Sequence, residues 1–165
     1  MDARTITNLL NTHYLQAFNT VLVGGSQEPF YEAAKNDQPA RIGFTRDYIR
    51  SAMHELAHWC IAGRNRRLQD DFGYWYAADG RTQVQQELFY KVEVRPQAIE
   101  CAFALACGVA FEVSMDNLDS AVDGSASFEQ QVQGQVAHYR GQGFPQRARE
   151  VLALLYDRTA TNGGR

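Results

Sequence analysis

The sequence predicts an α+β fold, mainly helical around a small sheet of about three strands, in one domain spanning residues 1–165. Three observations carry this. Apolar residues keep helical spacing over several long stretches. Short β-branched or alternating runs are stopped by glycine and turn residues. With 45% hydrophobic residues the chain can bury a sizeable core.

In chain order, residues 2–18 are expected to form a helix, because Ile6, Leu9, Leu10, Tyr14 and Phe18 recur at roughly helical spacing. "TVLVGG" (20–25) is β-branched and ends in two glycines, so a strand is expected. Residues 26–40 are turn-rich with two prolines, and "ARIGFT" (40–45) alternates as a second strand. A helix over 47–62 follows, with Thr45 or Asp47 as its cap and Gly63 closing it. "DFGYWYAADG" (71–80) is expected as the third strand, ending in an Asp-Gly turn. Residues 82–92 are expected to be helical, and Pro96 at a first helical position starts a separate helix, 96–107. A loop region (108–127) leads into helices at about 128–140 and 145–157.

The bulk properties exclude several classes. A net charge of −3 gives no broad affinity for nucleic acid. No apolar run approaches the length of a membrane span. The N-terminus has an early acid and polar breaks, unlike a signal or transit peptide. Three cysteines without a CxxC fit a reducing compartment, so a cytoplasmic protein is expected. Cys60, Cys101 and Cys107 all lie in apolar helical contexts, as buried hydrophobes do.

The chemistry concentrates in "SAMHELAHWC" (51–60). His54 and His58 are four apart, so a helix stacks them on one face and both can reach one cation. Glu55 lies about 100° round the helix, beside the metal, where a general base or an anchor would stand. With four histidines in the chain, chance would produce this pattern about 0.004 times. The flanking Met53, Leu56, Ala57, Cys60 and Ile61 are apolar, so the helix is embedded. His13 and His138 have no such partners and are expected at the surface or hydrogen-bonded elsewhere.

Two imidazoles need a third ligand. Glu93 stands in the apolar triplet Val92-Glu93-Val94, where a carboxylate is costly to bury unless something pairs with it. Glu100 is the second candidate, followed by Asp70, Asp71 and Asp116. Zinc held by two His, one Glu and a water, with Glu55 as general base, would make a small metallopeptidase. Iron(II) held by the same three groups would leave positions for dioxygen. Spacing does not separate the two. No histidine is followed two places on by an aspartate, so the common jelly-roll oxygenase pattern is absent.

"SAMHELAHWCIAGRNRR", "DFGYWY", "DGR", "VEVRPQA" and "SMDNL" resemble the elongation factor P hydroxylase family in order and spacing, over roughly residues 28–120. The family pattern has a proline before its DGR segment, where Ala77-Ala78 stand here. The resemblance implies a metalloprotease-like fold and a non-haem metal hydroxylase acting with dioxygen on the modified lysine of elongation factor P. It implies His54, His58 and Glu93 as ligands of iron(II), zinc being the alternative occupant, with elongation factor P as partner. Glu55 would then serve proton delivery or orientation. A long cationic substituent needs an acidic mouth, for which Asp70, Asp71 and Asp116 are candidates. Trp59, Tyr74, Trp75 and Tyr76 are available for stacking, Tyr74 and Tyr76 sharing one strand face. Arg64, Arg66 and Arg67 either complement the dipole of the preceding helix or dock an acidic partner.

Overall fold

In a computed structural model, residues 1–71, 82–114 and 125–162 are described. Asp2 caps the first helix, α1 (Ala3–His13), by accepting from the Thr5 N–H at 2.8 Å. The helix is shorter than its apolar spacing predicts. Tyr14 leaves helical geometry and a 3₁₀ turn, Leu15–Phe18, continues the apolar row before Asn19 turns left-handed. The tighter turn still buries Leu15, so the spacing survives while the α-helix does not.

Three strands follow: β1 (Thr20–Ser26), β2 (Phe30–Glu32) and β3 (Ala40–Thr45). They form a mixed sheet in the order β1-β3-β2, with β1 parallel and β2 antiparallel to β3. β2 was not expected inside the turn-rich stretch, where three residues are too few to show a period. Phe30 pairs with Gly43, and a Cβ at Gly43 would collide with the Phe30 ring. Of the strand expected over 71–80, Asp71 makes an isolated bridge to Tyr31; residues 72–80 lie outside the described set.

Helix α2 (Ile49–Ile61) carries the histidine pair. Neither expected cap forms. The N-cap is Tyr48, without a side-chain hydrogen bond, and Ser51 Oγ instead accepts from the Thr45 N–H. At the far end Ala62, in extended geometry, takes the place expected for Gly63. Its carbonyl accepts from both Arg67 and Arg147, which satisfies a group that a glycine turn would otherwise serve.

The two helices expected on either side of Pro96 are one, α3 (Gln83–Cys107), opened by a Thr82–Gln85 capping box and closed by left-handed Gly108. Proline removes one helical hydrogen bond, which is why a break was expected. Here Pro96 and all of residues 97–104 are buried against the neighbouring helices, and packing outweighs the lost bond. Helices α4 (Ser125–Gln142) and α5 (Gln146–Asn162) complete the chain. Leu22, Ile42 and Phe44 on the sheet, Met53 and Leu56 on α2, Ile99 and Phe103 on α3 and Val151 and Leu155 on α5 share one core. The three cysteines are buried and unpaired. No helix among the described residues is long and apolar enough to cross a membrane.

Candidate metal centre

Two helical faces meet at the site. α2 presents Arg50, His54 and His58, spaced four apart. α3 presents Glu93, Gln97 and Glu100, spaced four and three apart. These spacings stack each set on one face, and the packing of α2 on α3 brings the faces together.

His54 Nε2 and His58 Nε2 lie 3.1 Å apart. The Glu93 carboxylate faces both, with Oε1 3.1 Å from His58 Nε2 and Oε2 3.5 Å from His54 Nε2. Two ligands of one cation, each bonded at about 2.1 Å, stand roughly 3.0–3.4 Å apart in octahedral or tetrahedral arrangement. The two 3.1 Å separations fall in that range and the 3.5 Å one lies just above it. Among the described residues this trio is the one cluster able to hold a metal ion, its ligand atoms all within 4.8 Å of one another. The donors suit iron or zinc alike. Glu93 is 7% exposed, so its charge needs compensation at close range.

Glu100 lies elsewhere on the same histidine. It accepts from His54 Nδ1 at 2.8 Å, which fixes the tautomer and leaves Nε2 free to ligate. Glu100 is itself 3% exposed, with Arg50 Nε 3.7 Å from its other oxygen. Of the two glutamates the sequence left open, Glu93 faces both Nε2 atoms and Glu100 orients one ring.

The electrostatics follow from this crowding of acids. Burial alone would push the His54 imidazolium down, but the Glu100 hydrogen bond and the charges of Glu93 and Glu100 hold it up at about 10. Burial likewise favours the neutral Glu93, yet the hydrogen bond and charge of His58, with His54, hold it at about 2. Without a cation the site thus keeps an extra proton, which metal binding would displace. Half-buried Glu55 is raised, chiefly by burial and further by Glu93 and Asp71, while both histidines pull it down. Among the described residues Glu55 has no hydrogen bond to either imidazole.

The other expected site residues are placed as follows. Asp70 accepts from the Ala33 N–H and pairs with Lys35, whose hydrogen bond holds its carboxyl low. Asp71 pairs with Arg66 and bridges Tyr31, and its charge reaches Glu55. Tyr74, Trp75, Tyr76 and Asp116 lie outside the described residues. Trp59 is in the core, under Arg147 at 4.9 Å and Arg67 at 6.0 Å. Sequence reasoning missed Arg50, Gln97 and Arg147. Arg50 and Gln97 had a legible signal, since each sits one turn from a candidate ligand, His54 or Glu93, on the same face.

Fold and site together define a small α+β protein with a cluster of two imidazoles and a carboxylate spanning two packed helices. A profile of the family described as elongation factor P hydroxylase matches residues 9–162. The elongation factor P lysine hydroxylase of Haemophilus influenzae is 42% identical over 155 residues, covering 92% of this chain and 87% of that protein. The chain belongs to the elongation factor P hydroxylase family.

Proposed function

We propose that this chain hydroxylates the modified lysine of elongation factor P in the cytoplasm, with iron(II) as its metal and dioxygen as co-substrate. One observation carries the reading: the trio His54, His58 and Glu93 has the spacing of ligands to one cation, in a relative of a lysine hydroxylase. These three residues would hold the metal, and iron(II) bound there supplies the activation of dioxygen. Zinc fits the same donors and is the alternative occupant.

The rest falls to the chain's own groups. Glu100 locks the His54 ring through Nδ1. Gln97 donates to Glu93 Oε2 at 3.4 Å. Glu55, raised by burial, holds a proton more readily than an exposed carboxylate and would serve as the local proton source. Overall, one oxygen atom enters a lysine C–H bond and the other leaves as water. That balance takes two protons and two electrons, the electrons from an external donor. His58, with 39% of its side chain exposed, marks the side open to substrate. Glu55 and Asp71, whose charges are felt at the trio's edge, would attract the cationic substituent.

The test is the mass of the lysine-bearing peptide of elongation factor P, from cells with and without this protein. A gain of one oxygen is expected with it, lost in His54→Ala and Glu93→Ala. Identical masses in all cases would overturn the reading, and peptide cleavage lost in Glu55→Gln would replace it with a zinc peptidase.

A further inference from the structure

Gln97 is fully buried at the centre of the α3 face, between Glu93 and Glu100. Its amide is used at both ends. Nε2 donates to the Ser114 carbonyl at 2.6 Å and to Glu93 Oε2 at 3.4 Å, and Oε1 accepts from the Ser114 N–H at 2.9 Å. One side chain therefore pairs with the backbone of the 109–114 segment as a neighbouring strand would, while also touching a carboxylate of the trio. A second tie holds the same segment. Arg50 donates to the Glu112 carbonyl and lies over the Phe111 ring at 5.8 Å, and its Nε faces Glu100, the partner of His54. Two residues, one from each helix, thus tie one stretch of backbone to Glu93 directly and to His54 through Glu100.

A buried amide that serves both a carboxylate and a main-chain pair cannot satisfy one in a new position without disturbing the other. We infer that Gln97 is a positioning residue that locks the Glu93 carboxylate to the 109–114 segment, with Arg50 as the second tie, so that metal binding and the order of that segment are coupled. The inference rests on the trio holding a metal, as proposed above. It goes further by naming the wall of the site that responds. Coupling is reciprocal: whatever orders the segment tightens the metal, and the metal orders the segment.

The experiment uses the full chain and cobalt(II), with no elongation factor. Amide hydrogen exchange over residues 109–114 is measured with and without the ion, and cobalt affinity is read from its visible absorption. Exchange in that segment is expected to slow about tenfold on binding. Gln97→Met, which removes both ends of the amide, should weaken cobalt by about 10–100-fold and abolish the slowing. Ser114→Pro lies outside any helix and removes the N–H that donates to Gln97, together with the hydroxyl and some backbone freedom. It should also weaken cobalt, which tests the tie even if Gln97→Met fails to fold. If cobalt binds the natural chain but leaves 109–114 exchange unchanged, or if Ser114→Pro binds as tightly, the coupling is wrong while the metal site stands. Failure of the natural chain to bind cobalt would sink both.

Discussion

Glu93 and Glu100 are two turns apart on one helix, yet they address opposite nitrogens of His54. That division sets different expectations for their loss. In the proposed centre Glu93→Ala removes one of three donors and should abolish metal binding. Glu100→Ala leaves all three donors but frees the ring, and should weaken binding by about 10–100-fold, measured by cobalt titration. Equal losses in the two variants would mean the roles are misassigned. The sequence made Glu93 legible because a carboxylate between two valines needs a partner. It left Glu100 ambiguous, since one turn into a helix a glutamate is as often solvated as buried. Only the packing of α2 on α3 shows that Glu100 is 3% exposed and held by His54 and Arg50.

At the level of elements, local chemistry was legible where it acts alone. β1 and β3 sit where alternation and glycine stops placed them, and α2 covers the core of its expected span. It failed where distant groups decide. Pro96 read locally is a helix start, yet burial on several sides carries α3 through it. Gly63 read locally is a terminator, yet Arg67 and Arg147 reach the Ala62 carbonyl first, and Arg147 comes from 85 residues away. β2 is too short to show a pattern and exists because β3 offers it an edge. The start of α3 is the opposite case, local and self-contained. Thr82 accepts from Gln85, whose side chain accepts in return from the Thr82 N–H. Thr82→Ala should cost about 1 kcal/mol and lower Tm by about 2–4 °C in a chain of this size. Thr82→Ser, which keeps the oxygen, should recover most of that loss. A thermal melt of the three proteins decides it, and an unchanged Tm in the alanine variant would refute the cap's contribution.

Across the whole molecule, the two ends of the chain are tied by a titrating contact. The Tyr14 hydroxyl, just after α1, donates to Glu150 Oε2 on α5 at 2.7 Å. Burial, then this bond, raises the Tyr14 phenol, and the same bond holds the Glu150 carboxyl below its usual range. A depressed carboxyl stabilises the fold above its unfolded pKa and loses that effect as pH falls through the folded value. Tyr14→Phe should therefore lower Tm at neutral pH, and part of the gap should close below about pH 4 as Glu150 protonates. A gap independent of pH would assign the effect to packing alone.

The ligand helix has no independent means of holding its shape. α2 has no side-chain cap at its start, its last carbonyls are held by arginines from elsewhere, and its apolar face is sealed by the common core. At 13 residues it is marginal in water by itself. A synthetic fragment copying only that stretch would keep both imidazoles and lose the geometry that sets them side by side. On the proposed reading, affinity for the ion is thus a property of the assembled globule. Substitutions at Met53, Ile99 or Phe103, none of them a ligand, would show up as poorer loading before they showed up as loss of fold.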